Sequence, residues 1–125
     1  MPTVSLVLMA VAGTVHVGFF VMESLLWGRP EVHRIFSVRS PGEAETMRFA
    51  MLNLGFYNLL LAAGTFVGVV GSWVLWNDRD ELLVFCAFFM IGAAVVLVAG
   101  NRKLWRGALI QGALPATAML LALLG

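Results

Sequence analysis

The sequence predicts an all-α integral membrane protein, a bundle of four transmembrane helices with both termini outside the cytoplasm. Three observations carry that expectation. Hydrophobic residues make up 61% of the 125-residue chain and charged residues only 12%, against the roughly 25% charged residues of an average soluble domain. The apolar residues fall into four long runs, and Lys and Arg are concentrated in two of the three segments between them. Residues 1–125 make a single four-helix transmembrane domain, and the connections leave no room for a separate soluble one.

The first run, Val4 to Trp27, is interrupted only by His16, Glu23 and a few small polar residues, and exceeds the ~20 residues needed to cross hydrocarbon. Ala10-Val11-Ala12 resembles a signal cleavage site, but Met1 to Met9 has no Lys or Arg and the run continues well beyond it. It therefore reads as a retained span. In the following segment, Glu31 to Phe36 sets Val32, Ile35 and Phe36 at helical spacing, as in a short piece lying on the membrane surface. Ser40-Pro41-Gly42-Glu43 has the spacing of a capping box, so the second long helix should begin near Pro41 and project before entering the bilayer.

The second span, Phe49 to Trp76, carries no charge; Leu82 to Gly100 is the third, and Gly107 to the end of the chain the fourth. Asn77 to Glu81 should form a tight acidic turn and Asn101 to Arg106 a basic one. All four spans read as helices, because lipid-facing irregular backbone would leave hydrogen bonds unmade and the period-two alternation of barrel strands is missing.

Orientation follows from positive charge, which is retained on the cytoplasmic side of short loops. Arg29, Arg34, Arg39 and Arg48 lie in the first connection and Arg102, Lys103 and Arg106 in the third, whereas the second has only Arg79. The first and third connections are thus expected to be cytoplasmic. Trp27 and Trp105 would then fall at the inner boundary and Trp73 and Trp76 at the outer one, as an interfacial belt requires.

Orientation gives the intramembrane polar residues a depth, at ~1.5 Å per residue. Glu23 would lie about 6 Å below the inner interface, Asn53 and Gln111 about 8 Å, and His16, Tyr57 and Asn58 roughly 14 to 16 Å. Asn53 and Tyr57 are four apart and share a face, while Asn58 is turned away from Tyr57 toward a different neighbour. Glu23 is either a carboxylate near the wet interface or a buried acid.

Polar groups in hydrocarbon tend to face the bundle interior. Ligand-binding candidates are accordingly His16, Glu23, Asn53, Tyr57, Asn58 and Gln111, lining a pocket that opens to the cytoplasm for a small or lipid-like ligand. The competing reading is interhelical glue, with Asn, Gln and His side chains bonding across helices. Acid–base chemistry on a lipid-soluble substrate is a third, His16 and Glu23 moving a proton while Tyr57 and Asn58 hold an oxyanion. An accessory role in a larger membrane complex is a fourth.

No cofactor is implied. One intramembrane His, the remote loop residue His33 and the single Cys86 do not make a metal site, and no phosphate loop, nucleophile elbow or redox Cys pair is present. A net charge of +1 argues against nucleic acid; the bilayer is the expected partner. Gly64 with Gly68, and Gly112 with Ala116, form small-xxx-small pairs suited to close helix packing within the chain and leave a homodimer open. Pro115, four residues after Gln111, removes the amide that would bond the Gln111 carbonyl.

Together, His16, Glu23 and Trp27, the string Asn53-Leu54-Gly55-Phe56-Tyr57-Asn58, and Gln111-Gly112 followed by Pro115-Ala116 resemble the small four-helix membrane proteins of the domain of unknown function 1304 family. The likeness covers nearly the whole chain. It departs at Leu54, where the family usually has Gln, and in one additional residue between the Gln-Gly and Pro-Ala pairs, as in a divergent member. The resemblance implies an architecture and a bacterial source, and brings no activity with it.

Overall fold

A computed structural model describes residues 1–74 and 80–125, and every described element is helical. Helix α1 covers Thr3–Phe20 and passes directly into a π-helical turn, Val21–Leu25, in which the Leu26 amide donates to the Val21 carbonyl at 2.9 Å. Short α2 (Pro30–Ile35), α3 (Pro41–Val74), α4 (Glu81–Gly100) and α5 (Trp105–Leu124) follow, a 3₁₀ turn at Arg102–Leu104 leading into α5. Four helical stretches are long and apolar enough to cross a membrane: Thr3–Leu25, Pro41–Val74, Glu81–Gly100 and Arg102–Leu124. Trp76 and the expected turn residues Asn77, Asp78 and Arg79 lie outside the described residues.

α1 packs closely on both α3 and α5, and α5 on α4, while α3 and α4 touch over a shorter stretch. The distribution of side chains inverts that of a soluble protein. Phe49 (79% exposed), Val67, Phe85, Phe88, Val96 and Leu123 point outward, and the interior is built largely from small residues and sulfur, among them Ala12, Ala62, Cys86, Ala87, Met90 and Ala118. Lipid is as apolar as Leu, so helices in a bilayer gain by close backbone approach rather than by hiding large side chains. Glycine supplies that approach at three seams. A Cβ on Gly68 would stand 2.8 Å from the Leu83 side chain, one on Gly112 2.8 Å from Ala94 Cβ, and one on Gly55 1.9 Å from Ser24 Oγ. Gly64 lies beside Cys86, so this small-xxx-small pair packs α3 on α4, while in the other pair Gly112 faces α4 and Ala116 is exposed.

One end of the molecule carries the two basic connections. There the Ser40 hydroxyl accepts from the Glu43 amide at 3.1 Å, and Glu43 reaches back to the Arg39 amide at 3.0 Å, one residue before the position that the capping-box pattern anticipates. α3 is 34 residues long, about 51 Å against a hydrocarbon core of ~30 Å. Its first turns carry Glu43, Glu45 and Arg48, and Arg48 pairs with Glu45 at 2.9 Å. Ser40→Ala is expected to cost about 1 kcal/mol. The loss should appear as faster amide exchange confined to Glu43 and its neighbours, with the transmembrane part of α3 unchanged.

The apolar residues of α2 turn largely toward the protein. Val32 is buried and Phe36 half-buried against Trp27, Met51, Met22 and Met47, and only Ile35 faces out. Trp27 is 3% exposed. Its indole N–H donates to the Ala44 carbonyl at 2.9 Å, its carbonyl accepts from His33 Nε2, and its ring meets those of His33 and Phe36 edge to face. The 28–40 segment is thus folded back as a plug over the basic end, turned by Ser37 at a φ of 57°. At the opposite end, Asp80 accepts from Ser72 at 2.8 Å and pairs with the Met1 ammonium at 2.7 Å.

Candidate functional site

The buried face of α1 reads Ser5, Leu6, Met9, Ala12, Gly13, His16, a stripe at helical spacing. Its upper part is held by Ser5 Oγ donating to the Ala118 carbonyl at 2.9 Å. His16, at the lower end, is fully buried, with its ring edge-to-face against Phe19 at 5.3 Å. Nδ1 stands 2.8 Å from the Ala12 carbonyl. A carbonyl can only accept, so Nδ1 carries the proton, and in a neutral ring Nε2 is left as a bare acceptor. Among the described residues Nε2 is the buried side-chain polar atom that finds no partner.

Glu23 sits in the π turn and is 4% exposed, which decides the question left open by its depth: the protein encloses it. Asn58 Nδ2 from α3 donates to both carboxylate oxygens, at 3.2 and 3.3 Å. One residue further on, Ser24 Oγ donates to the Leu52 carbonyl at 2.8 Å, in the space left by Gly55. A π turn accommodates one residue more than an α turn and is frequent at functional positions. Here it sets Glu23 and Ser24 against α3 together.

The contacts fix the register of the antiparallel α1–α3 pair. Gly13 faces the Phe66 ring, Phe20 meets Phe56 at 5.1 Å between centroids, and Ser24 meets Leu52 and Gly55. His16 therefore stands alongside the Leu60–Ala63 turn of α3. It is seven residues, about 10 Å of helix rise, from Glu23, with Asn58 at an intermediate level.

The other three candidates are placed elsewhere. Asn53 and Tyr57 share a face as expected, Asn53 Nδ2 reaching Tyr57 OH at 3.2 Å, but that face points outward, and Tyr57 is 58% exposed. Gln111 is half-buried on α5, beside the Gly112–Ala94 seam, and bonds none of the other five. Pro115 is buried within an α5 that continues to Leu124. The six residues thus resolve into an inward-facing set, buried His16 and Glu23 with half-buried Asn58, an outward-facing pair, and Gln111 apart. Ser24 was missed by reading residues singly. Its signal lay in a small polar residue beside Glu23 and a glycine within the Asn53–Asn58 string.

Residues 10–123, almost the full chain, match the family described as Protein of unknown function (DUF1304). The chain belongs to the DUF1304 family. Among curated proteins and among solved structures, none matches the chain. Membership and the four long apolar helices make it a small polytopic membrane protein. The residues that carry the resemblance are spread over distinct parts of this fold: His16, Glu23 and Asn58 lie on the α1–α3 side, Gly55 forms the tightest seam there, and Gly112 the α4–α5 seam.

Proposed function

We propose that this DUF1304 protein is a membrane-embedded binding protein, its site built from His16, Glu23 and Asn58 and reached from the cytoplasmic half of the bilayer. The observation that carries the reading is the unpartnered Nε2 of a fully buried histidine. An unsatisfied buried polar atom costs about 1–3 kcal/mol, and side chains used as interhelical glue avoid that cost by bonding each other. A lone pair on Nε2 and the lone pairs of Glu23 call for a ligand that donates hydrogen bonds, through hydroxyl or amine groups. The orientation is supported by the seven positive residues in the first and third connections against one in the second. With ~10 Å between them, His16 and Glu23 serve a ligand spanning both better than a direct proton exchange.

The test separates binding from packing by sign. His16→Phe keeps the ring and its contact with Phe19, gives up the Ala12 bond, and removes the orphan nitrogen. In ligand-free protein the variant is expected to be as stable as the parent or up to ~1 kcal/mol more so. Native mass spectrometry of protein released from its own membrane should find a bound small molecule in the parent and not in the variant. A variant that melts well below the parent, with identical bound masses, would reduce His16 to a packing residue.

A further inference from the structure

Glu23 has a neutral partner and no cationic one. Asn58 Nδ2 serves both of its carboxylate oxygens, and neither ion pair formed among the described residues includes it. No Lys or Arg occurs between Met1 and Gly28 or between Phe49 and Val74, the parts of the chain on either side of it. The Met1 ammonium is taken by Asp80 at the opposite end of the molecule. Enclosed charges are ordinarily paired, so the positive partner of this carboxylate has to come from outside the chain.

The fold leaves an approach to it. Met51, Asn58 and Thr65 are seven apart on one face of α3. Met51 and Thr65 are buried, whereas Asn58 between them is only half-buried. The inward face of α3 is therefore uncovered at this level, and α5, which barely touches α3, does not close it. The residue left open is the one that holds both oxygens of Glu23.

We propose that this opening admits a protonated amine on an apolar stem, its ammonium seated against Glu23 and Asn58; the proposal rests on the binding reading above and names the class of ligand. With its amide nitrogen turned to Glu23, Asn58 leaves Oδ1 as a further acceptor. Two carboxylate oxygens and an amide oxygen then converge where the chain supplies one neutral donor and no positive charge. An alkylammonium brings the charge and three N–H donors on one atom. A hydroxyl brings a donor without the charge, and a quaternary ammonium the charge without a donor. Phe20 and Phe56, whose rings meet at 5.1 Å between centroids, put aromatic surface at the same level for the stem. The bare Nε2 of His16, on the far side of Asn58 from Glu23, is left for a second N–H or O–H along that stem.

The experiment is scintillation proximity binding of radiolabelled decylamine to the intact protein in uncharged maltoside micelles near neutral pH, where the amine is an ammonium ion. Expected is saturable binding that unlabelled decylamine displaces. Decanol, lacking the charge, and decyltrimethylammonium, lacking the N–H, should each displace it roughly 10-fold less well or worse, the worth of a hydrogen bond to a charged group. Glu23→Gln should weaken decylamine binding by a similar factor or more. Glu45→Gln, which removes an exposed carboxylate paired with Arg48, should bind like the parent. Equal displacement by decanol, parent-like binding in Glu23→Gln, or an equal loss in Glu45→Gln would each overturn the proposal. The competitor series needs no variant, so it decides the matter even where Glu23→Gln is unstable. Should decanol compete equally while His16→Phe still loses its co-purified molecule, the site stands and its ligand is uncharged; should His16→Phe keep that molecule, the binding reading itself falls and this proposal with it.

Discussion

Gly55→Ala is expected to destabilise the protein by about 3 kcal/mol or more, at the upper end of overpacking costs, and to deplete it from the membrane fraction on expression. The new methyl would stand 1.9 Å from Ser24 Oγ, 3.0 Å from Ser24 Cβ and 3.1 Å from the Ser24 backbone nitrogen. The hydroxyl cannot simply turn away without giving up its bond to the Leu52 carbonyl, and the other two atoms belong to the path of the π turn itself. Ser24→Ala alone should cost only about 0.5–1.5 kcal/mol, one hydrogen bond. Combining the two removes the worst overlap and leaves the contacts near 3 Å, so the double variant should recover part of the loss. Detergent melts of all four proteins give the coupling energy directly. Additive losses, or a Gly55→Ala protein that melts with the parent, would mean that α1 and α3 do not meet at this point.

The second large effect concerns the Glu23–Asn58 contact. Asn58→Leu leaves an enclosed carboxyl without its donor, and is expected to cost about 1–3 kcal/mol. Glu23→Gln, which keeps the shape and a group for Asn58 to bond, should cost less. Glu23→Met combined with Asn58→Leu should regain most of what Asn58→Leu loses, because an apolar pair of similar shape has no bond left unmade. Equal losses in Asn58→Leu and in the double variant would indicate that Asn58 matters through its volume. Ligand binding adds a separate readout, since the recovered double variant should fold and still fail to hold the bound molecule.

Much of this fold is legible because hydrocarbon imposes few solutions. Long uncharged runs must be helices, Ser40-Pro41-Gly42-Glu43 marks where α3 begins, and the four-residue spacing of Asn53 and Tyr57 puts their side chains in contact. What escaped the sequence depends on departures from regular geometry or on contacts distant along the chain. Counting 100° per residue from His16 to Glu23 takes no account of the π turn between Val21 and Leu25. That Trp27 is enclosed by the protein depends on its N–H finding the Ala44 carbonyl, seventeen positions away. For the site, periodicity places Asn53 and Tyr57 on a common face but cannot tell whether that face meets a helix or lipid. Glu23 could be assigned as buried only once Asn58 stood against it.

The π turn also acts as a phase adjuster in α1. An α-helix turns 100° with each residue, so the additional residue held between Val21 and Leu25 resets the angular bearing of all that follows. Upstream, the stripe from Ser5 to His16 stays trained on the bundle interior; downstream, Trp27 stays trained on its own small core. Deleting one residue from the turn would leave both sequences intact and put them out of step, like two gears meshed one tooth apart. A chain shortened in this stretch must therefore recover the lost angle elsewhere, or rebuild the plug against another face of α3.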